Sequence, residues 1–127
     1  MIFGIGTDIV TVARIEAAME RHGVAFAERI LSAQELPEYI AHAYPARFLS
    51  KRFAAKEALA KATGQGLRHP VSLQRITVIH DELGKPDFYF DDTLSAHLQA
   101  LGVTRHHLSI SDERETVVAF VILEEES

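Results

Sequence analysis

The sequence predicts an α+β fold, an antiparallel sheet packed with helices. Three observations carry that expectation. Amphipathic helical spacing recurs in separate segments, two pairs of β-rich runs are each joined by a short turn, and the element order never alternates strand with helix as a parallel sheet requires.

The first element is the run "IFGIGTDIV", apolar on both parities except at Asp8. It suits a strand buried on both faces, with two glycines that allow another backbone to approach closely. Thr11 is a plausible N-cap for "VARIEAAMERHG", in which Val12, Ile15, Ala18 and Met19 share one side and Arg14 and Arg21 another, and Gly23 stops the helix. Ser32 to Glu35, "SAQE", has capping-box spacing, and Pro37 limits the next segment to a short helix or turn.

"FLSKRFAAKEALAKATG", Phe48 to Gly64, is the longest periodic segment. Phe48, Ala55, Leu59 and Ala62 fall on one face, while Phe53, Glu57, Lys61 and Gly64 fall on the other. "TGQG" ends this helix, and Pro70 opens an extended connection. "QRITVIHDELGKPDFYF" reads as two strands around a turn from Asp81 to Pro86. "DDTLSAHLQALG" supplies an N-cap at Asp91 or Asp92 and the stripe Leu94, Leu98, Leu101. "RHHLSISDERETVVAFVIL" is a second hairpin with its turn near Asp112 to Glu115, and the tail "EEES" reads as a frayed end.

At 127 residues the chain is expected to form one domain over 1–127, a size that buries about two-thirds of its unfolded surface. Hydrophobic residues are 47% and charged residues 24%, and no apolar run approaches the roughly 18 residues of a membrane span. "MIFGIGTDIV" lacks the basic start of a signal peptide. The absence of cysteine excludes disulfides and thiolate zinc sites and agrees with a reducing cytoplasm.

The net charge of −5 argues against general nucleic-acid binding. Its distribution says more: residues 1–70 hold nine Lys/Arg against seven Asp/Glu, and residues 71–127 hold four against eleven. Between Arg47 and Arg68, six cations surround Glu57 alone, a local field suited to an anionic ligand.

Glu57 and Lys61 also describe an ordinary i, i+4 helix pair, stabilising by about 0.3–0.5 kcal/mol. Asp8 is harder to treat as neutral background. A carboxylate in an apolar strand costs several kcal/mol unless a Lys or Arg pairs with it or a cation binds it. A hydrated Mg²⁺, held by one or two carboxylates plus substrate phosphates, would engage Asp8 and Glu57 together, with the surrounding cations facing the phosphates.

The sequence resembles the holo-acyl-carrier-protein synthases, the short bacterial type of 4′-phosphopantetheinyl transferase. The resemblance rests on "GIGTDIV" (Gly4 to Val10), "RFAAKEALAKATG" (Arg52 to Gly64), "DELGKP" (Asp81 to Pro86) and "HLSISD" (His107 to Asp112), in the family order and over essentially the whole chain. It implies the phosphopantetheinyl transferase fold and transfer of the phosphopantetheine arm of coenzyme A to a serine of an apo acyl carrier protein, with release of adenosine 3′,5′-bisphosphate, for fatty acid biosynthesis. By position, Asp8 and Glu57 are the implied Mg²⁺ ligands. Lys61 is placed to reach a phosphate or the departing oxygen. Arg52, Lys85 and His107 are candidates for coenzyme A phosphate contacts, with Gly64 and Ser109 nearby. A metal-bound water or Glu57 takes the serine proton.

The family meets its acidic carrier with the first helix, so Arg14 and Arg21 are the candidates, with Arg29 behind them. Relatives of double length imply that this half-length form completes its site by self-association, as a homotrimer with sites at subunit contacts. Two other classes stay open on the residues alone. A different Mg²⁺-dependent nucleotide or diphosphate enzyme would keep Asp8, Glu57 and Lys61; a non-catalytic module for acidic proteins would keep only the basic helix faces. His106 and His107, adjacent in a strand, point to opposite faces, so at most one belongs to a site. Phe88, Tyr89 and Phe90 read as sheet core or subunit interface.

Overall fold

The computed structural model describes residues 1–126. In chain order the elements are β1 (Ile2–Thr11), α1 (Val12–His22), α2 (Val24–Ile30), α3 (Leu36–Ala41), α4 (Pro45–Ala62), a 3₁₀ turn (Leu73–Arg75), β2 (Ile76–His80), β3 (Pro86–Phe90), α5 (Asp92–Leu101), β4 (Val103–Asp112) and β5 (Thr116–Glu125). The α+β class and the two hairpins are as expected. The single sheet is not: β1, β5 and β4 form one antiparallel sheet in that order, and β2 pairs with β3 in a second. Side chains join the two where a backbone ladder does not, through His106 of β4, which bonds Asp87 at 2.8 Å and meets the Phe90 ring edge-on at 5.1 Å.

Helix α4 organises the molecule. Pro45 stands at its first position, its 18 residues include neither glycine nor a β-branched side chain, and Gly64 follows its end at φ +79°. It packs on β1 and β5, burying Ala54, Ala55, Ala58, Leu59 and Ala62 to 3% exposure or less. Facing it are Val117, Ala119, Val121 and Leu123 of β5, all fully buried. The contact is close because β1 presents glycines: a Cβ on Gly6 would stand 1.9 Å from the Ala58 carbonyl oxygen, and one on Gly4 2.0 Å from that of Ala62.

Two expectations are corrected and one unforeseen helix is added. β1 is an edge strand, not one buried on both faces: α4 covers one side, while Ile5 and Ile9 on the other are 58% and 66% exposed. The seven-residue α2 escapes the periodicity reading because it spans only two turns and follows Gly23 directly. The tail does not fray at Glu124, since β5 stays paired to β4 through Glu125; Ser127 lies outside the described residues.

The capping box is half formed. Glu35 Oε1 accepts from the Ser32 amide at 3.0 Å, but the Ser32 hydroxyl accepts from Thr77 at 2.8 Å instead of capping the helix. Asp91 is the N-cap of α5, accepting from the Leu94 amide at 2.9 Å.

Candidate active site

The glycine contact that seats β1 on α4 also brings Asp8 to Glu57 and Lys61. Asp8 follows Gly4 and Gly6 on the inward parity of β1, opposite Ala119 of β5. Lys61 Nζ donates to Asp8 Oδ1 at 3.0 Å and to the Thr7 carbonyl at 3.1 Å, so the lysine pairs with Asp8 and not with Glu57 one turn before it. The Asp8 side chain is 15% exposed and that of Lys61 53%, which puts the pair at the rim of the core. Glu57 is half-buried beside them. Burial pushes its carboxyl above the usual range, the Asp8 charge adds to the push, and Lys61 opposes it. Two acids distant in the chain thus share one solvent-accessible corner with a single cation.

The other cations of this helix do not gather around Glu57, contrary to the expectation that they face phosphates. Arg47 is spent on the β4–β5 turn, bonding Asp112 at 2.6 Å and the carbonyls of Glu113 and Arg114; Lys51 stands 3.5 Å from Asp112. Lys56 is fully buried, donating to Glu35 at 2.5 Å, the Ile30 carbonyl at 2.8 Å and the Leu73 carbonyl at 3.0 Å. Burial pushes its ammonium down to about 8 despite Glu35. Arg52, a candidate phosphate contact, is 5% exposed, 3.4 Å from both Glu35 and Glu38, with its guanidinium 4.3 Å over the Phe48 ring. The structure does not bring it to Asp8 and Glu57 within this chain. Glu35, the acid that holds both cations, shows only a cap signature in the sequence. Its second task is hinted at by Arg52 and Lys56, two cations one turn apart on a helix rich in alanine that need an acid if they face inward.

The remaining candidates are divided. Gly64 lies exposed just past the end of α4, its amide donating to the Lys61 carbonyl at 3.0 Å. Lys85 and His107 line a separate cavity of about 390 Å³ with Pro86, Asp87, Arg105 and His106. Ser109 pairs with Phe120, which pairs with Thr7. Because strand side chains alternate, Thr7, Phe120, Ser109 and His107 belong to the outer face of the sheet, whereas Asp8 belongs to the face under α4. Within this chain the two sets stand on opposite sides of the sheet. Arg14 and Arg21 are both exposed on α1, one heptad apart and hence on one side of the helix, away from buried Val12 and Ile15.

Two carboxylates with hard oxygen donors, half-buried and under-neutralised by one lysine, fit Mg²⁺, which keeps waters and substrate phosphates in its remaining positions. No group of three or more His, Asp or Glu suited to a metal exists among the described residues, so Asp8 and Glu57 would have to share the ion with non-protein ligands.

Comparison with known proteins bears on the family, not on the metal. The family model described as the 4′-phosphopantetheinyl transferase superfamily matches residues 4–121. A holo-[acyl-carrier-protein] synthase of Nitrosospira multiformis is 59% identical over 124 residues, covering 98% of this chain and 99% of the relative. The crystal structure of the holo-[acyl-carrier-protein] synthase of Neisseria meningitidis superposes with a TM-score of 0.96 at 50% identity, covering 98% of this chain and 100% of that one. That of the Bacillus anthracis synthase, in complex with CoA (3′,5′-ADP), superposes with a TM-score of 0.81 at 37% identity, covering 99% of each.

Proposed function

We propose a function from one premise: the chain belongs to the 4′-phosphopantetheinyl transferase superfamily. It transfers the 4′-phosphopantetheine arm of coenzyme A to a serine of apo acyl carrier protein, giving holo carrier protein and adenosine 3′,5′-bisphosphate. The observation that carries the site is the meeting of Asp8, Glu57 and Lys61 where β1 crosses α4.

The transfer breaks the diphosphate bridge of coenzyme A, and the serine oxygen forms the new bond to the phosphorus that carries pantetheine. Little covalent work falls to the protein, so positioning and charge neutralisation dominate. Asp8 and Glu57 would hold Mg²⁺, which would supply charge neutralisation to the diphosphate. Lys61, flexible and half-exposed, turns from Asp8 toward a phosphate oxygen and meets the charge that grows on the departing bisphosphate. Glu57, half-buried beside the pair, accepts the proton of the attacking hydroxyl. Gly64 leaves room for backbone approach to the arm. Lys85, His107 and Ser109 contact the nucleotide end, and Arg52 would join them only by leaving both Glu35 and Glu38.

We further read the chain as a single catalytic domain that works as a cytoplasmic homotrimer. The outer face of the three-stranded sheet is apolar and bare: Ile5, Ile9, Val118 and Phe120 are each between 37% and 66% exposed. A second copy on that face covers it, and a ligand running round the β1 edge then reaches Asp8 of one copy and His107 of another. This accounts for candidate residues on opposite faces of one sheet. Among the described residues no helix is long and apolar enough to cross a membrane. Arg14 and Arg21 meet the acidic carrier.

Incubation with coenzyme A, Mg²⁺ and apo carrier protein, followed by mass spectrometry of the carrier, tests the reading. The carrier gains the mass of the phosphopantetheine arm. Hydrolysis of a nucleotide with the carrier untouched, or binding without any mass change, would replace it with one of the two other classes.

A further inference from the structure

Among the described residues, every basic side chain lining the cavity between β3 and β4 except Lys85 already meets a carboxylate. His106 Nδ1 lies 2.8 Å from Asp87 Oδ1, which anchors that ring toward the Phe88–Phe90 cluster. On the outer face, His107 Nε2 lies 2.5 Å from Glu124 Oε2, and Arg105 Nε lies 3.7 Å from the same oxygen. One carboxylate oxygen thus serves two basic side chains. Register explains how: Arg105 is the ladder partner of Glu124, and His107, two residues on, projects to the same face.

We propose that Glu124 is a resident anion that an incoming phosphate of coenzyme A must displace, and that it thereby limits coenzyme A affinity and speeds release of the bisphosphate product. The inference rests on the reading of His107 as a phosphate contact. A phosphate entering the cavity competes for the donors that Glu124 occupies, and a charge-assisted bond of this kind is among the stronger ones it could have to replace. While Glu124 stays, its charge repels the phosphate at close range. Its side chain is 28% exposed and that of His107 45%, so the carboxylate has solvent to turn into. The same repulsion acts on adenosine 3′,5′-bisphosphate after transfer and shortens its stay. Glu124 is therefore a specificity-determining residue that works against binding, opposite in sign to an orienting partner of the imidazole.

The sign makes the idea testable by calorimetric titration of coenzyme A and of adenosine 3′,5′-bisphosphate into the wild type, Glu124→Gln, His107→Ala and the double variant. Glu124→Gln, which keeps the side chain's shape and removes its charge, should tighten both ligands by about three- to fivefold, the scale of an exposed charge contact. The gain should shrink at high salt, and steady-state assays should show a lower KM for coenzyme A with kcat unchanged or reduced. The double variant should lose most of the gain. Weaker binding by Glu124→Gln, or unchanged binding, overturns the proposal. If His107→Ala leaves coenzyme A affinity unchanged, the phosphate reading of His107 falls and takes the displacement with it. If His107→Ala weakens binding while Glu124→Gln fails to strengthen it, the phosphate reading stands and the displacement alone is wrong.

Discussion

Lys61 Nζ reaches Asp8 Oδ1 at 3.0 Å across 53 residues of sequence, and the Thr7 carbonyl beside it at 3.1 Å. That ammonium is what neutralises Asp8 in the free protein, so an ion shared by Asp8 and Glu57 has a lysine to displace, not an empty charge to fill. Asp8→Ala and Glu57→Ala should each lower transfer by about 10²-fold or more, the scale of lost charge stabilisation at a reacting phosphate. Both variants should fold, because each position lies at the rim of the core. A readout independent of activity goes with this: Mg²⁺ should raise the melting temperature of the wild type and not of either variant. Intact transfer with intact Mg²⁺ dependence in both would remove the site assignment.

The close seating of β1 on α4 predicts a large effect from one methyl group. Gly6→Ala would put a Cβ 1.9 Å from the Ala58 carbonyl and 2.7 Å from the Ala62 amide nitrogen, both backbone atoms that cannot swing aside. Overpacking commonly costs about 1–3 kcal/mol, and a backbone clash belongs at or above the top of that range. Urea denaturation should show the loss, and whatever folded fraction survives should transfer poorly, since the strand that moves carries Asp8. A variant as stable and active as the wild type would mean that β1 does not need this contact.

The buried pair Lys56–Glu35 predicts opposite results for one substitution and for two. Lys56→Met leaves Glu35 charged in the core, with only the Ser32 and Val78 amides and the Arg52 Nε 3.4 Å away, and should cost about 3–5 kcal/mol. Adding Glu35→Leu removes the stranded charge and should recover much of that loss. Denaturant midpoints of the three proteins decide it; a double variant no more stable than the single one would show that the pair's backbone hydrogen bonds, not its charge balance, matter most.

The turn that presents Lys85 should loosen in acid. Asp81 is held below the usual carboxylate range, first by the backbone amide of Lys85 and then, against a little desolvation, by that of Leu83; both amides donate to Oδ1 at 2.9 Å. A folded-state value below the unfolded one means that the stabilisation is present above the ordinary carboxylate range and disappears as pH falls through the lowered value. Protection of the Leu83 and Lys85 amides against hydrogen exchange should fall over that acid window. In Asp81→Ala protection should start low and lose its acid dependence; an unchanged profile would exclude the carboxylate as its source.

How much of this was legible in the sequence depends on which interactions are local. Asp8 is conspicuous because a lone acid in an apolar run needs a partner, and Glu57 because it is the lone acid in a cationic run; the pairing of the two needs only the two motifs. The turn at Asp81 and the cap at Asp91 are equally plain, since their hydrogen bonds close within a few residues. The fate of Lys56 and Arg52 is not. Both lie in a segment that reads as a charged surface, yet they point into the core to meet Glu35, whose local signature is that of a helix cap. Likewise the apolar pattern of β1 reports that both faces are greasy, not that only one is covered by this chain. Charge and hydropathy identify what must be satisfied; distant pairing decides by whom.

Carrier recognition should be separable from coenzyme A binding, because the residues assigned to each are on different elements. Arg14 and Arg21 project from α1, exposed and one heptad apart. Charges at the rim of an interface act chiefly on association rate and are screened by salt. Arg14→Glu should therefore raise KM for the carrier, most at low ionic strength, while leaving coenzyme A affinity unchanged. The same protein at high salt should approach the wild type, since screening weakens both the native attraction and the introduced repulsion. Stopped-flow measurement of carrier association across a salt series distinguishes this from a general defect: a slope that flattens in the variant supports the assignment, whereas equal losses of carrier and coenzyme A binding at every salt concentration would trace the effect to a disturbed fold and take α1 out of recognition.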